Sequence, residues 1–445
     1  MAHTHALTDD EPTAALPPQQ TRRARVLLAA IVVPLLLATV AGLVLLWPSG
    51  ESPVGSQPLL AEGMSVETAE VVEITGTQGA EVRAELLTGV GEGQVIPVQV
   101  PPEVMDNGAD VGDRVRLLFT PSALGSGVPY VFWDFERTVP VAWLAVLYAV
   151  VVLVVARWRG LAAMAGLAAS LGVVVLFMLP ALMTGAQPLL VALVGGSAMM
   201  FFAVYLAHGI SIRTTTALVG TFIGLAVTTA LAGWGTRAAN LTGATSETSL
   251  MLQGTFPGLR LQDLLLCGIV IAGLGALNDV TITQASAVWE LHAADRTMPR
   301  RRLWLGGMRI GRDHIASTVY TLAFAYVGTA LPVLLMAASY DRGFVDTLMA
   351  GEIAEEVVRT LVSSIGLVLA IPATTAIAAA LVRTTAGRGD LERAAPAPRR
   401  GPSTASEVLP SDAPAGGEPG TSTATELRAG SSTAPDLRAG SSADT

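Results

Sequence analysis

An aspartate inside an apolar run is the first residue of this sequence with the means to do chemistry. Residues 264–277 read Leu-Leu-Leu-Cys-Gly-Ile-Val-Ile-Ala-Gly-Leu-Gly-Ala-Leu and then meet Asn278-Asp279. A charge in hydrocarbon costs ~2.5–3.5 kcal/mol on insertion scales and normally faces a cavity or a partner. Counted in helical rise, Asp279 lies ~24 Å beyond Asp263, about three-quarters of the way across a core of ~30 Å. If the helix continues, Asp279, Thr283, Ser286 and Glu290 recur at i, i+4, i+7 and i+11. At ~100° per residue they share an arc of about 60°, a polar seam that Asn278, Thr281 and Gln284 widen.

The next apolar run repeats the idea in reverse. Asp313 and His314 open it, and His314, Thr318 and Thr321, followed by Ala325 and Gly328, share a face. Small and polar stripes let two helices approach and hydrogen-bond. The chemistry expected of the pair is that of a cytoplasmic half-channel, with Asp279 binding a proton or cation and His314 relaying protons. The structural alternative is that Asp279 braces a helix near its inner end and His314 meets water there. His208 and His292 read as interfacial loop residues, and His3 and His5 as part of a solvated tail.

Other chemistries are excluded or unsupported. All 27 basic residues are Arg and none is Lys, which removes a Walker A phosphate loop and a Schiff-base lysine, so neither nucleotide-driven nor pyridoxal phosphate chemistry resides in this chain. No metalloprotease, nucleophile-elbow or dinucleotide-binding motif occurs, and nothing points to nucleic acid, a cofactor or a metal. The single Cys267 allows no intramolecular disulfide and reads as a small core residue.

The elements that must position these residues are membrane spans. Of the 445 residues 51% are apolar and only 14% charged, with a mean hydropathy of +0.54, which is wrong for soluble domains. Eight runs approach the length that crosses a bilayer: 26–46, 139–156, 160–180, 187–207, 214–233, 263–283, 315–338 and 357–382. The first, behind Arg22, Arg23 and Arg25, is too long for a signal peptide and reads as a retained anchor. Arginines orient the array, since short cytoplasmic loops carry the basic excess. Arg157-Trp158-Arg159, His208 to Arg213 and the loop with Arg296, Arg300, Arg301, Arg302, Arg309 and Arg312 fall on one side, together with both termini. Segment 48–138, the turn 181–187, loop 234–262 and the acidic loop Tyr340–Glu356 fall on the other. Trp47, Trp143, Trp158, Trp234, Trp289 and Trp304 all lie near span ends, as an interfacial belt requires. Arg300, Arg301, Arg302 and Trp304 are expected to rest on an anionic inner leaflet, at about 1 kcal/mol per basic residue. Gly220 and Gly224 permit close packing, and Pro180, Pro332 and Pro372 should kink their spans.

Residues 47–138 form a separate acidic module, with fourteen acids against four arginines. Short alternating runs at 66–72, 81–87, 95–100 and 115–119, divided by glycines and prolines, predict a small extracytoplasmic β domain, an OB-like barrel or a sandwich. Its role is that of a packing module or of a binding module for a cation or an envelope partner. The sequence therefore divides into a cytoplasmic disordered stretch 1–25, an anchor 26–46, the outer domain 47–138, a seven-helix membrane domain 139–383 and a disordered cytoplasmic tail 384–445, in which Leu-Arg-Ala-Gly-Ser-Ser occurs twice.

Two stretches carry a resemblance. Gly275-Ala-Leu-Asn278-Asp279-Val-Thr281-Ile-Thr283-Gln284-Ala-Ser286-Ala-Val-Trp289-Glu290-Leu, then Gly311-Arg312-Asp313-His314-Ile-Ala-Ser317-Thr318 and Ala325-Tyr326-Val-Gly328-Thr-Ala-Leu-Pro332, resemble the YibE/F family of bacterial multi-pass membrane proteins over approximately residues 60–382. The resemblance implies an integral plasma-membrane protein of this architecture but carries no substrate or reaction. All-Arg usage with abundant Ala and Gly fits a GC-rich bacterial genome. Two functions are expected to compete. One is a gradient-driven transporter or channel built on the Asp279 seam. The other is a non-transporting scaffold or envelope-assembly factor acting through the outer domain. An enzyme lacks a paired nucleophile and base.

Overall fold

The computed structural model describes residues 18–50, 54–75, 81–106 and 108–382. The expectations for the first seventeen residues and for the tail from 384 lie outside them. Helix α1 (Pro18–Leu45) places Ala24, Leu28 and Val32 at successive i+4 positions, all buried, against the later helices α5 and α6. Thr39 returns its hydroxyl to the Leu35 carbonyl (2.8 Å), which removes its cost in an apolar setting.

The acidic segment folds as one curled antiparallel sheet of β1 (Ser65–Thr75), β2 (Glu81–Leu86), β3 (Val95–Gln99), β4 (Arg114–Phe119) and β5 (Tyr130–Phe135), in the order β3-β2-β1-β4-β5. A short helix α2 (Pro102–Asp106) joins β3 to β4, and a 3₁₀ turn (Pro121–Ser126) joins β4 to β5. Alternation decides which face is inside: Ala69 and Val71, Val82 and Ala84, and Val115, Leu117 and Phe119 are buried together. Irregular pairing between Val71 and Glu73, and between Arg116 and Leu117, bends the sheet. The edge strands β3 and β5 thereby approach each other. Among the described residues there is no second sheet, so the acidic module is curled and barrel-like rather than a sandwich. All four predicted strands are present, and β5 joins them. Pro97 lies on β3, an edge strand, where a missing N–H costs no ladder bond.

Among the described residues seven helical runs are long and apolar enough to cross a membrane. The second, Thr138–Met183, has 46 residues and would reach ~69 Å, more than twice a hydrocarbon core. It comprises α3 (Thr138–Val173), a π-helical turn (Val174–Met178) and α4 (Leu179–Met183). Helix α3 breaks at Arg157, whose φ of 53° and ψ of −136° are non-helical. A Cβ on Gly160 would meet the Val152 carbonyl at 2.7 Å, a contact across eight residues that only a sharp reversal allows. The two expected spans 139–156 and 160–180 thus share one run, with the turn at the expected Arg157-Trp158-Arg159. The π turn directly precedes Pro180, whose ring and missing N–H break the regular ladder.

The remaining helices are α5 (Pro188–His208), α6 (Ile212–Ala238), α7 (Glu247–Thr255), α8 (Leu261–Ala294), α9 (Arg300–Ala338), α10 (Phe344–Leu348) and α11 (Gly351–Val382). Ser211 caps α6 with a reciprocal bond to Thr214. Two expected loops are corrected. The long arginine loop between the sixth and seventh spans is only residues 295–299, because α8 runs on to Ala294 and α9 starts at Arg300. In that turn Asp295 accepts the Thr297 hydroxyl and N–H, which hold its carboxyl below the usual range. The acidic loop Tyr340–Glu356 is α10 and the first turns of α11, so Glu355 and Glu356 are helical.

Helices α6, α8 and α11 pack on one another as the centre; α9 lies on α8 and α11, α5 on α8, and α3 on α5. Glycines and hydroxyls set the close approach. Thr228 seats its Oγ1 on Gly366 and Thr374 its Oγ1 on Gly220, each nearer than any Cβ could stand. A Cβ on Gly224 would lie 2.6 Å from Leu277 Cδ2 and 3.0 Å from Ala370, so Gly220 and Gly224 do bring helices together.

Candidate functional site

Helix α8 has two faces, and the expected seam divides between them. Thr281 and Gln284 point inward and are fully buried. Thr281 shares a hydrogen bond with Thr221 of α6 (2.7 Å). Gln284 donates to the Gly307 carbonyl of α9 and to the Thr375 hydroxyl of α11, both at 2.7 Å. The glycines at 307 and 311 make room for this side chain: a Cβ on Gly311 would meet Gln284 Oε1 at 3.0 Å. Gln284 therefore ties three helices together. Asn278 is half-buried and its Oδ1 lies inside without a hydrogen-bond partner.

Asp279, Thr283, Ser286 and Glu290 lie on the other face. Asp279 and Glu290 are exposed, Thr283 and Ser286 half-buried. Thr283 returns its hydroxyl to the Asp279 carbonyl (2.7 Å). Gly275 and Gly268 continue the stripe, and a Cβ on either would meet nothing within 4 Å. Asp279 is thus neither in a helix contact nor in an internal cavity; it stands on the open side of the bundle.

Its depth follows from the inner contacts. Thr281 meets Thr221 and Leu277 meets Gly224, so Asp279 is level with about residue 223 of α6. That is ~15 Å from Arg213 at one end of α6 and ~21 Å from Arg237 at the other. Asp279 therefore lies closer to the middle than the three-quarter depth counted from Asp263, because α8 extends well beyond it to Ala294.

On α9, His314 is half-buried, Asp313 and Thr321 are exposed and Thr318 is half-buried. Thr318 bonds the His314 carbonyl (2.8 Å) and Thr321 the Ser317 carbonyl (2.9 Å). These hydroxyls satisfy their own helix and not α8. Among the described residues no hydrogen bond or ion pair joins Asp279 to His314, so the two stripes are not brought face to face within one chain. Arg300, Arg301 and Arg302 are exposed on the first turn of α9, whereas Trp304 packs against the buried cluster that includes Val288, Leu303 and Ala378. Trp143, Trp158 and Trp234 are exposed, while Trp289 packs inward.

A second polar group was not foreseen. Arg359 and Glu356 form an ion pair on α11, and the Tyr326 hydroxyl of α9 faces Ser363 beside them. Ser363 lies against Gly273 of α8, 3.3 Å from where a Cβ would be. Glu356 Oε2 and Arg359 Nε are buried without hydrogen-bond partners. A cavity of about 260 Å³ between α9 and α11 is lined by Tyr326, Glu356, Thr360 and apolar residues. Glu355, next to Glu356, accepts the Gly243 N–H (3.1 Å) and ties down the loop after α6. The i, i+3 spacing of Glu356 and Arg359 was the available signal, obscured by assigning Glu356 to a loop.

The β sheet pairs every arginine of its segment with an acid: Arg83 with Glu73, Arg114 with Glu70, Arg116 with Glu136, and Arg137 with Asp134. Arg137 and the Phe135 N–H hold the Asp134 carboxyl below the usual range, and Thr138 does the same for Glu136. Burial pushes the Tyr130 hydroxyl up; it donates to the Val90 carbonyl. Among the described residues no three His, Cys, Asp or Glu side chains converge as a metal site requires.

Comparison with known proteins gives one match: the model of the YibE/F-like protein family matches residues 144–384. No curated protein and no solved structure matches the chain. The match contains α5 to α11 and most of α3 but not the outer sheet, to which the sequence resemblance extended. Both signature stretches lie inside it, with Asn278 and Gln284 on the packed side of α8 and Asp279 and Glu290 on its open side. It spans more than half of the sequence, and the chain belongs to the YibE/F-like family.

Proposed function

We propose that the chain is a multi-pass protein of a bacterial plasma membrane that moves a proton or small cation down its gradient through a path including Asp279. Both termini and the Arg213 end of the bundle lie in the cytoplasm, and the curled sheet lies outside. The observation carrying this reading is Asp279 itself, an exposed carboxyl near mid-depth of an apolar bundle, where a charge persists only for a use. Arg300, Arg301 and Arg302 rest on anionic headgroups. Proteoliposomes test the reading. Asp279→Asn should abolish pH- or cation-driven flux with the folded yield unchanged, and undiminished flux would remove Asp279 from the path.

One observation favours the scaffold reading. A cavity of about 920 Å³ where the sheet meets α3, lined by Glu103, Arg114, Asp134, Glu136 and Arg137, offers an envelope partner paired charges. In that case deleting residues 60–130 should remove the cellular phenotype while Asp279→Asn leaves it nearly intact.

A further inference from the structure

The exposed side of α8 and that of the neighbouring α9 both differ from a lipid-facing surface. The first half of α3 shows what the latter looks like: Val141, Trp143, Leu144, Leu147, Val151 and Val155 are all exposed, large and apolar. At mid-bundle α8 instead exposes Gly275 and Asp279, and nearer the Arg213 end of α6 the helix α9 exposes Arg309, Arg312 and Asp313. Hydrocarbon offers these charges nothing, whereas small residues beside polar ones are what helix–helix contacts in membranes use.

The charges also match in depth. The two helices are antiparallel, with Gly311 of α9 against Gln284 of α8 and Gly307 against Val288. Ser286 is therefore level with about Arg309, and Thr283 with about Arg312. Asp279 is one turn, about 6 Å, beyond the Arg312 level, and Glu290 is the same distance beyond Arg309 on the other side. Both offsets are within reach of an arginine side chain. Among the described residues none of these four charges forms an ion pair within its own chain.

A two-fold axis along the helices preserves depth, so a second copy would set α8 of each chain against α9 of the other. We propose that the α8–α9 face is the interface of a homodimer, in which Asp279 faces the partner's Arg312 and Glu290 the partner's Arg309. The open glycines at 268 and 275 let the second chain approach closely. The path through Asp279 then runs along the seam between two copies rather than inside one. The inference rests on the membrane reading above but does not depend on flux.

Cysteine pairing in native membranes tests it, in a Cys267→Ala background. Two differently tagged chains are co-expressed, one with Ser286→Cys and the other with Arg309→Cys, and oxidised with copper phenanthroline. A disulfide-linked product carrying both tags is expected, and none when Val151→Cys replaces Ser286→Cys. Photobleaching of the fluorescently tagged wild-type chain in native membranes should give two steps, which guards against variants that fail to fold. Single-step bleaching, or a Val151→Cys product as strong as the Ser286→Cys one, overturns the proposal. So does cross-linking only to a different protein. Failure of the chain to stay in carbonate-washed membranes would instead overturn the membrane reading, and an intact dimer that carries no flux would overturn only the transport reading.

Discussion

The inward and outward sides of α8 carry polar residues a few ångströms apart, and they do opposite things. Inward, Thr281 and Gln284 are buried and bonded to Thr221, Gly307 and Thr375. Outward, the Asp279 and Glu290 carboxylates form no ion pair among the described residues. A polar group that its surroundings satisfy helps specify packing, whereas one left open at mid-depth must be satisfied by something else. The comparison separates bonded from unpaired polarity on a single helix, which the one-letter sequence does not do.

Substitutions along α8 test this division, and the largest effect should come from the packed side. Leu277→Ala removes a fully buried side chain seated on Gly224 and should cost about 2–5 kcal/mol, seen as a marked fall in detergent melting temperature. Gln284→Leu should follow at about 1–3 kcal/mol, because the Gly307 carbonyl and Thr375 hydroxyl lose their donor. If it melts like the wild type, the three-helix tie is not structural. Smaller still, Thr281→Val should cost about 1 kcal/mol, and adding Thr221→Val should recover part of it, since no hydroxyl is then left without its partner. A double variant worse than the sum of the singles would contradict the pairing.

On the open side, Asp279→Asn should change melting by no more than about 0.5 kcal/mol. A large loss there would make Asp279 structural and erase the contrast.

The smallest effect lies outside the bundle and serves as a control for any pH profile of flux. The folded-state values of Asp134 and Glu136 are lowered. Their contribution is therefore present above the ordinary carboxylate range and lost as pH falls through the lowered values. Tyr130 is raised by burial, so its contribution is intact below the ordinary tyrosine range and fades as pH rises through the raised value. The protection of the β5 amides, the intrinsic rate at each pH divided by their exchange rate, should accordingly be highest at neutral pH and fall modestly at both extremes. Flux that follows β5 protection in pH reports on the sheet and not on Asp279.

Much of the architecture was legible because its signals are local. Apolar length marks the spans, and arginine pairs mark the turn at Arg157. Alternation marked β1 to β4, since period two shows without knowledge of partners. Span ends were less legible. Helices α8, α9 and α11 continue through polar residues such as Glu290, Arg302 and Glu356, which hydropathy reads as loop but which helical hydrogen bonding and neighbouring helices carry on. The Tyr326–Glu356–Arg359 group was missed for the same reason.

The sequence by itself determined that Asp279 recurs with Thr283, Ser286 and Glu290 on one helical face, because periodicity is a property of the chain alone. It also determined the absence of lysine and with it the absence of a Walker A phosphate loop. Only the tertiary structure decided which face of α8 turns inward. That depends on Gly220, Gly224, Gly273, Gly307 and Gly311 lying opposite Thr374, Leu277, Ser363, Gln284 and Ile371, matches between residues up to about 150 positions apart that close packing selects and periodicity cannot show.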